Sequence, residues 1–493
     1  MQKIKSISFI FLIIIGLLSI HFFNITMIRH RELSEMASLQ HSKKTDIKNW
    51  RGCIYDYNMI PLCDRSETTV KTSNVQPVNV TGRYTQDTAA KHLLGYIDYD
   101  GNGVCGIEKT YNDILKTDFT TSVAYIADTN GKQISDTNLT SNYFVIPDKN
   151  IKLTLDYKIQ KIAERAADKY IPSGAIVIMD IQNFDIKAMV SRPDYNQNNI
   201  GDYIQDKNSP LLNKTLCSYN AGSIFKIITS ACAIENNINI NNYCNGMVSI
   251  DNIPFGCHQK EGHQLLDFKN GFAKSCNCYF YTLSQIIGAQ QIINMAKRFN
   301  IGYSFASVPL PSDTGFLPDK KFYTSADSAN ISIGQGEILV TPLQVAYISA
   351  VIANGGIGKT VNVSDSIIDN SGNMISNLRQ TGTKYIISRQ CASQIGEMMR
   401  QCVIDGTAKD MNTKDVSVAG KTGSAETGWL GEDGNPMVHG WFCGFFPYEN
   451  PKYAMAVFSE NGKSGSSACV PAFEQIVIDI DNLYNINKTT SEY

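Results

Sequence analysis

The sequence predicts an α+β protein: helices covering an antiparallel sheet, set behind a small N-terminal module and one transmembrane helix. Three observations carry this. Residues Ile7 to Phe23 (ISFIFLIIIGLLSIHFF) form an unbroken apolar run, close to the ~20 residues a helix needs to cross a bilayer. Beyond about residue 150 the pattern is strand, helix, hairpin, a long helical middle, then strands alternating with loops and one closing helix. No second long apolar run occurs in the rest of the 493 residues.

Taken in order, residues 1–29 read as a cytoplasmic tip and membrane anchor. A cleaved signal peptide would have a shorter apolar region with an A-x-A-like site behind it, and none follows Phe23. Lys3 and Lys5 favour a cytoplasmic N-terminus, while Arg29 and Arg31 on the far side weaken that orientation. Residues 30–48, polar and of mixed charge, suit a stalk. Residues 49–150 are rich in Thr, Asp and Asn, with short strand-like pieces and many turn signals, and read as an accessory module without a long helix.

Residues 151–493 form the main domain. LTLD, Leu153 to Asp156, is a strand leading to an N-cap aspartate, followed by Ile159, Ile162, Ala163, Ala166 and Ala167 at helical spacing. GAIVIMD (174–180) and DIKAMVS (185–191) form a hairpin with a polar turn. YTLSQIIGAQQIINMAKRF is helical. Thr341 to Gly356 is a helix with proline in its first turn and glycine at its end. VSVAGKTGSAE, VHGWFCGFFP and YAMAVFSE follow as strands, and AFEQIVIDIDNLY closes the domain as an amphipathic helix.

The formal net charge of -2 argues against a nucleic-acid binder that relies on bulk charge. The 13 cysteines include no C-x-x-C pair and form no regular framework, so most are expected to be small buried hydrophobes. Cys244 and Cys257 flank a strand-like stretch and would be free to bridge in an oxidising compartment. Cys276-Asn277-Cys278 is too tight and too solitary for a zinc site. Neither a metal nor an organic cofactor is expected.

The chemistry begins at Lys226, an ammonium group in the otherwise small and apolar stretch AGSIFKIITSACAIE. Ser223 lies three residues earlier, one helical turn away on the same face. At a helix N-terminus, free backbone N–H groups favour developing negative charge. Burial lowers a lysine's preference for its charged form, so Lys226 is able to take a proton from the Ser223 hydroxyl. Alone, this pair reads better as an ordinary cap serine and a snorkelling lysine.

Two further strings decide between these readings. Lys421-Thr422-Gly423 occurs once, between strand-like segments; on a sheet edge its lysine would hold a substrate carboxylate and its glycine would admit an extended substrate. Ser275-Cys276-Asn277 is an S-x-N string, which also occurs at Ser218, Ser328, Ser371 and Ser459. Only order selects Ser275, which stands between S-x-x-K and K-T-G.

This trio resembles the active-site serine penicillin-binding protein and β-lactamase group. NAGSIFKIITSACAIE is similar to that family's nucleophile helix, with Ala221 where proline is usual. GHQLLDFKNGFAKSCNCYF, IGQGEILVTPLQVAYISAVIANGG, GKTGSAE (Ser424 where threonine is commoner) and HGWFCGFFP resemble further family blocks. RGCIYDYN and HLLGY…GIEKTYNDIL resemble the N-terminal module of class B penicillin-binding proteins, so the likeness runs from about residue 50 to near the end. The chain looks like a short class B member of the penicillin-binding protein A type.

The resemblance implies a peptidoglycan D,D-transpeptidase with the penicillin-binding, serine β-lactamase-like fold. Ser223 would be the nucleophile, Lys226 its base and Ser275 a proton relay. Asn277 would orient the substrate amide. Lys421, Thr422, Gly423 and Ser424 would line the substrate, with the N–H groups of Ser223 and Ser424 holding the oxyanion. It further implies stem peptides as substrate, β-lactams as covalent inhibitors, a SEDS-type polytopic glycosyltransferase as partner, and a single-pass protein whose catalytic domain is extracytoplasmic. His439 is left as structural. The alternatives are a serine β-lactamase, for which no deacylating base is identified, a β-lactam sensor, and a non-enzymatic scaffold that activates the glycosyltransferase.

Overall fold

A computed structural model describes residues 2–40, 42–47, 51–63, 83–85, 87–116, 121–126, 148–431, 434–462 and 464–486. The chain divides into two units. The smaller comprises residues 1–51, 66–81 and 117–146. In it the apolar run is a continuous helix, Gln2–Phe23, which passes through a wider turn at Asn24–Ile28. It is the one described helix long and apolar enough to cross a membrane. The segment read as a stalk continues as the helix His30–Gln40, and the strand Ser42–Ile47 pairs antiparallel with Thr121–Ile126.

The larger unit holds residues 52–65, 82–116 and 147–493. A boundary at residue 150 therefore does not coincide with this division. Ile54 and Tyr55 pair in parallel with Ile151 and Lys152, within a five-stranded sheet that runs from Met374–Asn377 to Pro61–Cys63. These strands are two to five residues long, too short to show a period in sequence. Arg83 is buried against Glu108 and donates to Gly52 O at 2.9 Å, which ties residues 83–108 to the same sheet.

The central sheet is antiparallel, in the order Ala419–Leu430, Pro436–Phe446, Tyr453–Ser459, Gly174–Asp180, Ile186–Arg192. Its side chains alternate between two cores, as a two-residue repeat requires. Ala175, Val177, Trp441, Cys443, Ala456 and Phe458 face the core that contains the helices Lys226–Glu235 and Pro342–Ala353. Ile176, Ile178, Phe442, Phe446, Met455 and Val457 face the helices Tyr157–Tyr170 and Val470–Tyr484. Because both faces are covered, GAIVIMD reads as one apolar run and not as an alternation.

Caps fix the helix starts. Asp156 accepts from the backbone N–H of Lys158 and Ile159, at 2.9 and 3.1 Å. Thr341 and Gln344 form a reciprocal capping box ahead of Pro342, which sets the start of the central buried helix. The stretch YTLSQIIGAQQIINMAKRF is two helices, Asn277–Ile287 and Ala289–Arg298. Gly288, at φ +81°, breaks the run, because a left-handed residue ends the helical ladder.

Candidate active site

The nucleophile segment is pinned from both sides. Tyr219 and Asn220 pair with Val340 and Leu339, and Trp441 Nε1 donates to Asn220 O at 2.9 Å. Ala221 leads into a 3₁₀ turn, Gly222–Phe225, that runs directly into the helix Lys226–Glu235. In a 3₁₀ turn residues three apart eclipse, so Ser223 and Lys226 share a face. Gly222 sits at φ +54°, and a Cβ there would lie 2.5 Å from Ser424 O. The turn therefore packs directly against the strand that bears K-T-G.

That strand, Ala419–Leu430, is the edge of the central sheet, where the sequence placed it. Gly423 packs closely as well: a side chain there would meet Ile224 at 2.9 Å and Trp441 at 3.1 Å. Ser424 is exposed, and its Oγ accepts from Gly465 N at 3.2 Å. Thr422 is nearly buried, with its hydroxyl paired to Thr407.

Ser275 lies at the start of the helix Asn277–Ile287, in the left-handed region at φ +55°. Its hydroxyl stands between two lysines: Lys226 Nζ at 3.2 Å and Lys421 Nζ at 2.9 Å. Lys226 Nζ also donates to Ser275 O and Asn277 Oδ1, each at 2.7 Å, and Lys421 Nζ donates to Thr422 O at 2.9 Å. Ser223, Lys226, Ser275, Asn277 and Lys421 are thus joined by one turn and one hydrogen-bond network. Among the described residues the half-buried Ser223 hydroxyl has no hydrogen-bond partner.

Both amines are completely buried, and no carboxylate pairs with either among the described residues. The buried thiols nearby do not balance them: burial pushes Cys402 up to about 11 and Cys443 up to about 12, so both stay protonated. Two ammonium groups sharing one hydroxyl, at 3.2 and 2.9 Å from it, stand no more than about 6 Å apart and would repel by about 3 kcal/mol or more at an effective dielectric of about 20. Burial and that repulsion both favour loss of a proton, more strongly at Lys226 than at Lys421. Burial, and then the charge on Lys421, hold Lys226 well below the ordinary lysine range. Lys421 is lowered by burial. A neutral Lys226 donates its two hydrogens to the two carbonyl oxygens and turns its lone pair toward hydroxyl hydrogen. In that form Lys226 would be able to act as a base, linked through the Ser275 hydroxyl to the Lys421 amine.

His439 packs edge-on to Tyr219 and Phe458, and among the described residues its Nδ1 has no hydrogen-bond partner. All 13 cysteines are free, and all but Cys105 and Cys217 are buried. The fold brings to Cys276 neighbours that its own stretch of sequence lacks. Its Sγ lies with those of Cys244 and Cys257 and with His263 Nδ1, all within 4.8 Å of one another. The spacing C-x₁₂-C-x₅-H-x₁₂-C follows no familiar ligand pattern, and these side chains meet only once the chain is folded.

The sequence profile of the penicillin-binding protein transpeptidase domain matches residues 174–477. Stage V sporulation protein D of Bacillus subtilis is 29% identical over 439 residues, covering 83% of this chain and 66% of that protein. Peptidoglycan D,D-transpeptidase PbpA of Mycobacterium tuberculosis is 30% identical over 353 residues, covering 65% of this chain and 69% of that protein. Penicillin-binding protein A from M. tuberculosis, solved as its imipenem acyl-enzyme complex, superposes with a TM-score of 0.71 at 21% identity, covering 88% of this chain and 98% of that one. The D,D-transpeptidase domain of a peptidoglycan glycosyltransferase from Eggerthella lenta gives 0.70 at 23% identity, covering 88% and 99%. These structural likenesses establish the fold. The chain spans 66% of the B. subtilis protein and 64% of peptidoglycan D,D-transpeptidase MrdA of Acinetobacter baumannii, just under two thirds of each.

Proposed function

This chain belongs to the penicillin-binding protein transpeptidase family, and from that premise we propose that it is a peptidoglycan D,D-transpeptidase acting through an acyl-enzyme on Ser223. The observation that carries the reading is Ser275 Oγ suspended between two buried lysines that have no carboxylate partner. A structural lysine gains nothing from such a place. A base that must be neutral before it acts, and a cation that keeps it so, require it.

In the proposed reaction the Ser223 oxygen attacks the carbonyl of the penultimate D-Ala of a stem peptide, and Lys226 takes the hydroxyl proton. The N–H groups of Ser223 and Ser424 receive the oxyanion. The proton on Lys226 then moves to the departing D-Ala amine through Ser275, which takes one proton as it gives another. Lys421 supplies the positive field behind Ser275, and Asn277 turns its amide toward the substrate. Thr422 and Ser424 meet the terminal carboxylate. An amine from a second stem then attacks the acyl carbon and displaces the Ser223 oxygen, and the proton the amine loses passes through Lys226 to that oxygen, which restores Ser223 and forms the cross-link. β-Lactams stop the cycle by acylating the same oxygen.

The helix Gln2–Phe23 fits a single-pass anchor. The lysines at its start support a short cytoplasmic tip and an extracytoplasmic catalytic unit, where stem peptides are found. A polytopic SEDS-type glycosyltransferase is the partner that the resemblance to class B penicillin-binding proteins implies. The test is a stem pentapeptide ending in D-Ala-D-Ala with an amine acceptor. Wild-type protein is expected to release D-Ala and form the cross-linked product, and Ser223→Ala to do neither. Product from the alanine variant would remove Ser223 from the reaction. Rapid turnover of a chromogenic cephalosporin would replace the transpeptidase with a β-lactamase.

A further inference from the structure

The two hydroxyls proposed to meet the terminal carboxylate, Thr422 and Ser424, stand two residues apart on the strand Ala419–Leu430, so they face the same side. A hydroxyl has one hydrogen to give. It reaches a carboxylate only if nothing nearer has taken it. For Ser424 the neighbour's chemistry decides this. The backbone N–H of Gly465 reaches Ser424 Oγ at 3.2 Å, and an N–H only donates. Ser424 therefore accepts from behind and keeps its hydrogen for the cleft.

Behind Thr422 the corresponding place is held by another hydroxyl, that of Thr407. Among the described residues neither hydroxyl has a second hydrogen-bond partner. Thr407 follows Gly406 at the exit of the helix Arg389–Asp405. Its backbone N–H donates to Ala273 O at 3.3 Å, two residues before Ser275. A Cβ at Gly406 would lie 2.5 Å from that same oxygen, so the chain turns close against it. Thr407 thus reaches the K-T-G strand with its side chain and the turn that carries Ser275 with its backbone.

We propose that Thr407 is a positioning residue for substrate carboxylate binding: its hydroxyl donates to Thr422 Oγ1 and leaves the Thr422 hydrogen to point at the substrate. The opposite orientation, with Thr422 donating to Thr407, would meet the carboxylate with a lone pair in place of a hydrogen. A hydrogen bond to a charged acceptor is stronger than one between neutral hydroxyls, so a bound carboxylate selects the first orientation. Thr407 does for Thr422 what the Gly465 N–H does for Ser424. It acts through Thr422, and its role rests on the transpeptidase reading.

The test uses the full chain in detergent, an amine acceptor and two stem pentapeptides, one ending in D-Ala-D-Ala and one in the carboxamide of the same sequence. The ratio of kcat/KM for acid over amide reads the carboxylate contact. In Thr407→Val, which keeps the branched shape and removes the hydroxyl, this ratio is expected to fall on the order of tenfold, mainly through KM for the acid. Thr407→Ser, which retains the hydroxyl, is expected to stay within about threefold of the parent. In a Thr422→Val chain a further Thr407→Val is expected to leave the ratio unchanged, because Thr407 acts through Thr422. If Thr407→Val does not fold, Thr407→Ala is read in the same way. An unchanged ratio in the variant without the hydroxyl overturns the proposal. So do valine and serine variants impaired alike, acid and amide slowed equally, or a further fall in the double variant. A parent that turns over acid and amide alike removes the carboxylate contact and this role with it. A parent that turns over neither peptide refutes the transpeptidase reading instead.

Discussion

Replacing Lys226 with methionine separates chemistry from folding. The Lys226 amine is fully buried, donates at 2.7 Å to both Ser275 O and Asn277 Oδ1, and lies 5.3 Å from the Phe280 ring centre. Methionine keeps the length and apolar stem but leaves two acceptors short of a donor, at about 1–3 kcal/mol each. Against that, a polar amine no longer has to be buried, which offsets part of the loss. Lys226→Met is therefore expected to remain folded and to melt within about 8 °C of the parent. Its reactivity is expected to fall far more: loss of a general base costs about 10²–10⁴-fold, which is about 3–5 kcal/mol of barrier. The assay is the second-order rate constant for labelling by a fluorescent penicillin, read beside a thermal melt. If the methionine protein proves unstable, Lys226→Gln retains donors for both carbonyls yet has no basic nitrogen. Labelling within about threefold of the parent in a folded variant would refute Lys226 as the base.

Other consequences follow from the same geometry. Because the neutral amine is the active form, labelling is expected to rise with pH along a limb below the ordinary lysine value of about 10.4. Lys421→Met removes the neighbouring positive charge, so that limb is expected to move to higher pH; a limb that stays put would break the link between the amines. Between the lowered folded pKa of Lys226 and about 10.4, the unfolded chain binds the extra proton, so stability should rise with pH in that window. Denaturation midpoints of the parent are therefore expected to gain on those of Lys226→Met as pH increases. Gly222→Ala forces a Cβ to within 2.5 Å of Ser424 O at φ +54° and is expected to lose penicillin labelling and about 1–3 kcal/mol of stability. Asp156→Ala removes a helix cap that also accepts from Tyr484 Oη at 2.7 Å, and should cost about 1–2 kcal/mol while leaving the labelling rate of folded protein unchanged.

Much of this architecture was legible because local chemistry and tertiary role agree. The caps at Asp156 and Thr341, and the apolar runs of the central sheet, are consistent with their neighbours at every level. Ser223, Lys226 and the K-T-G strand were legible because an amine stands out in an apolar helix and a three-residue string occurs once. Ser275 was weaker, one S-x-N among five, and became distinct only through contacts with two lysines from different elements. The two-residue strand Ile54–Tyr55 has no period to detect, and it joins the main unit through a parallel pairing nearly 100 residues away. The Gly288 break was visible as a glycine in a helical pattern, but apolar periodicity on both sides masked it. The Cys244, Cys257, His263 and Cys276 cluster was illegible for a different reason. Its members come from a hairpin excursion and a helix cap, so their spacing records loop lengths and not a motif.

The account stands or falls on the Ser223 oxygen as the nucleophile beside a deprotonated lysine. Mass spectrometry of the intact chain after exposure to penicillin, followed by mapping of the modified peptide, tests this most directly. The expected result is a single adduct, confined to the peptide containing Ser223 and absent from Ser223→Ala. An adduct on Ser275 or on a cysteine, or an alanine variant that is still modified at the same rate, would contradict it.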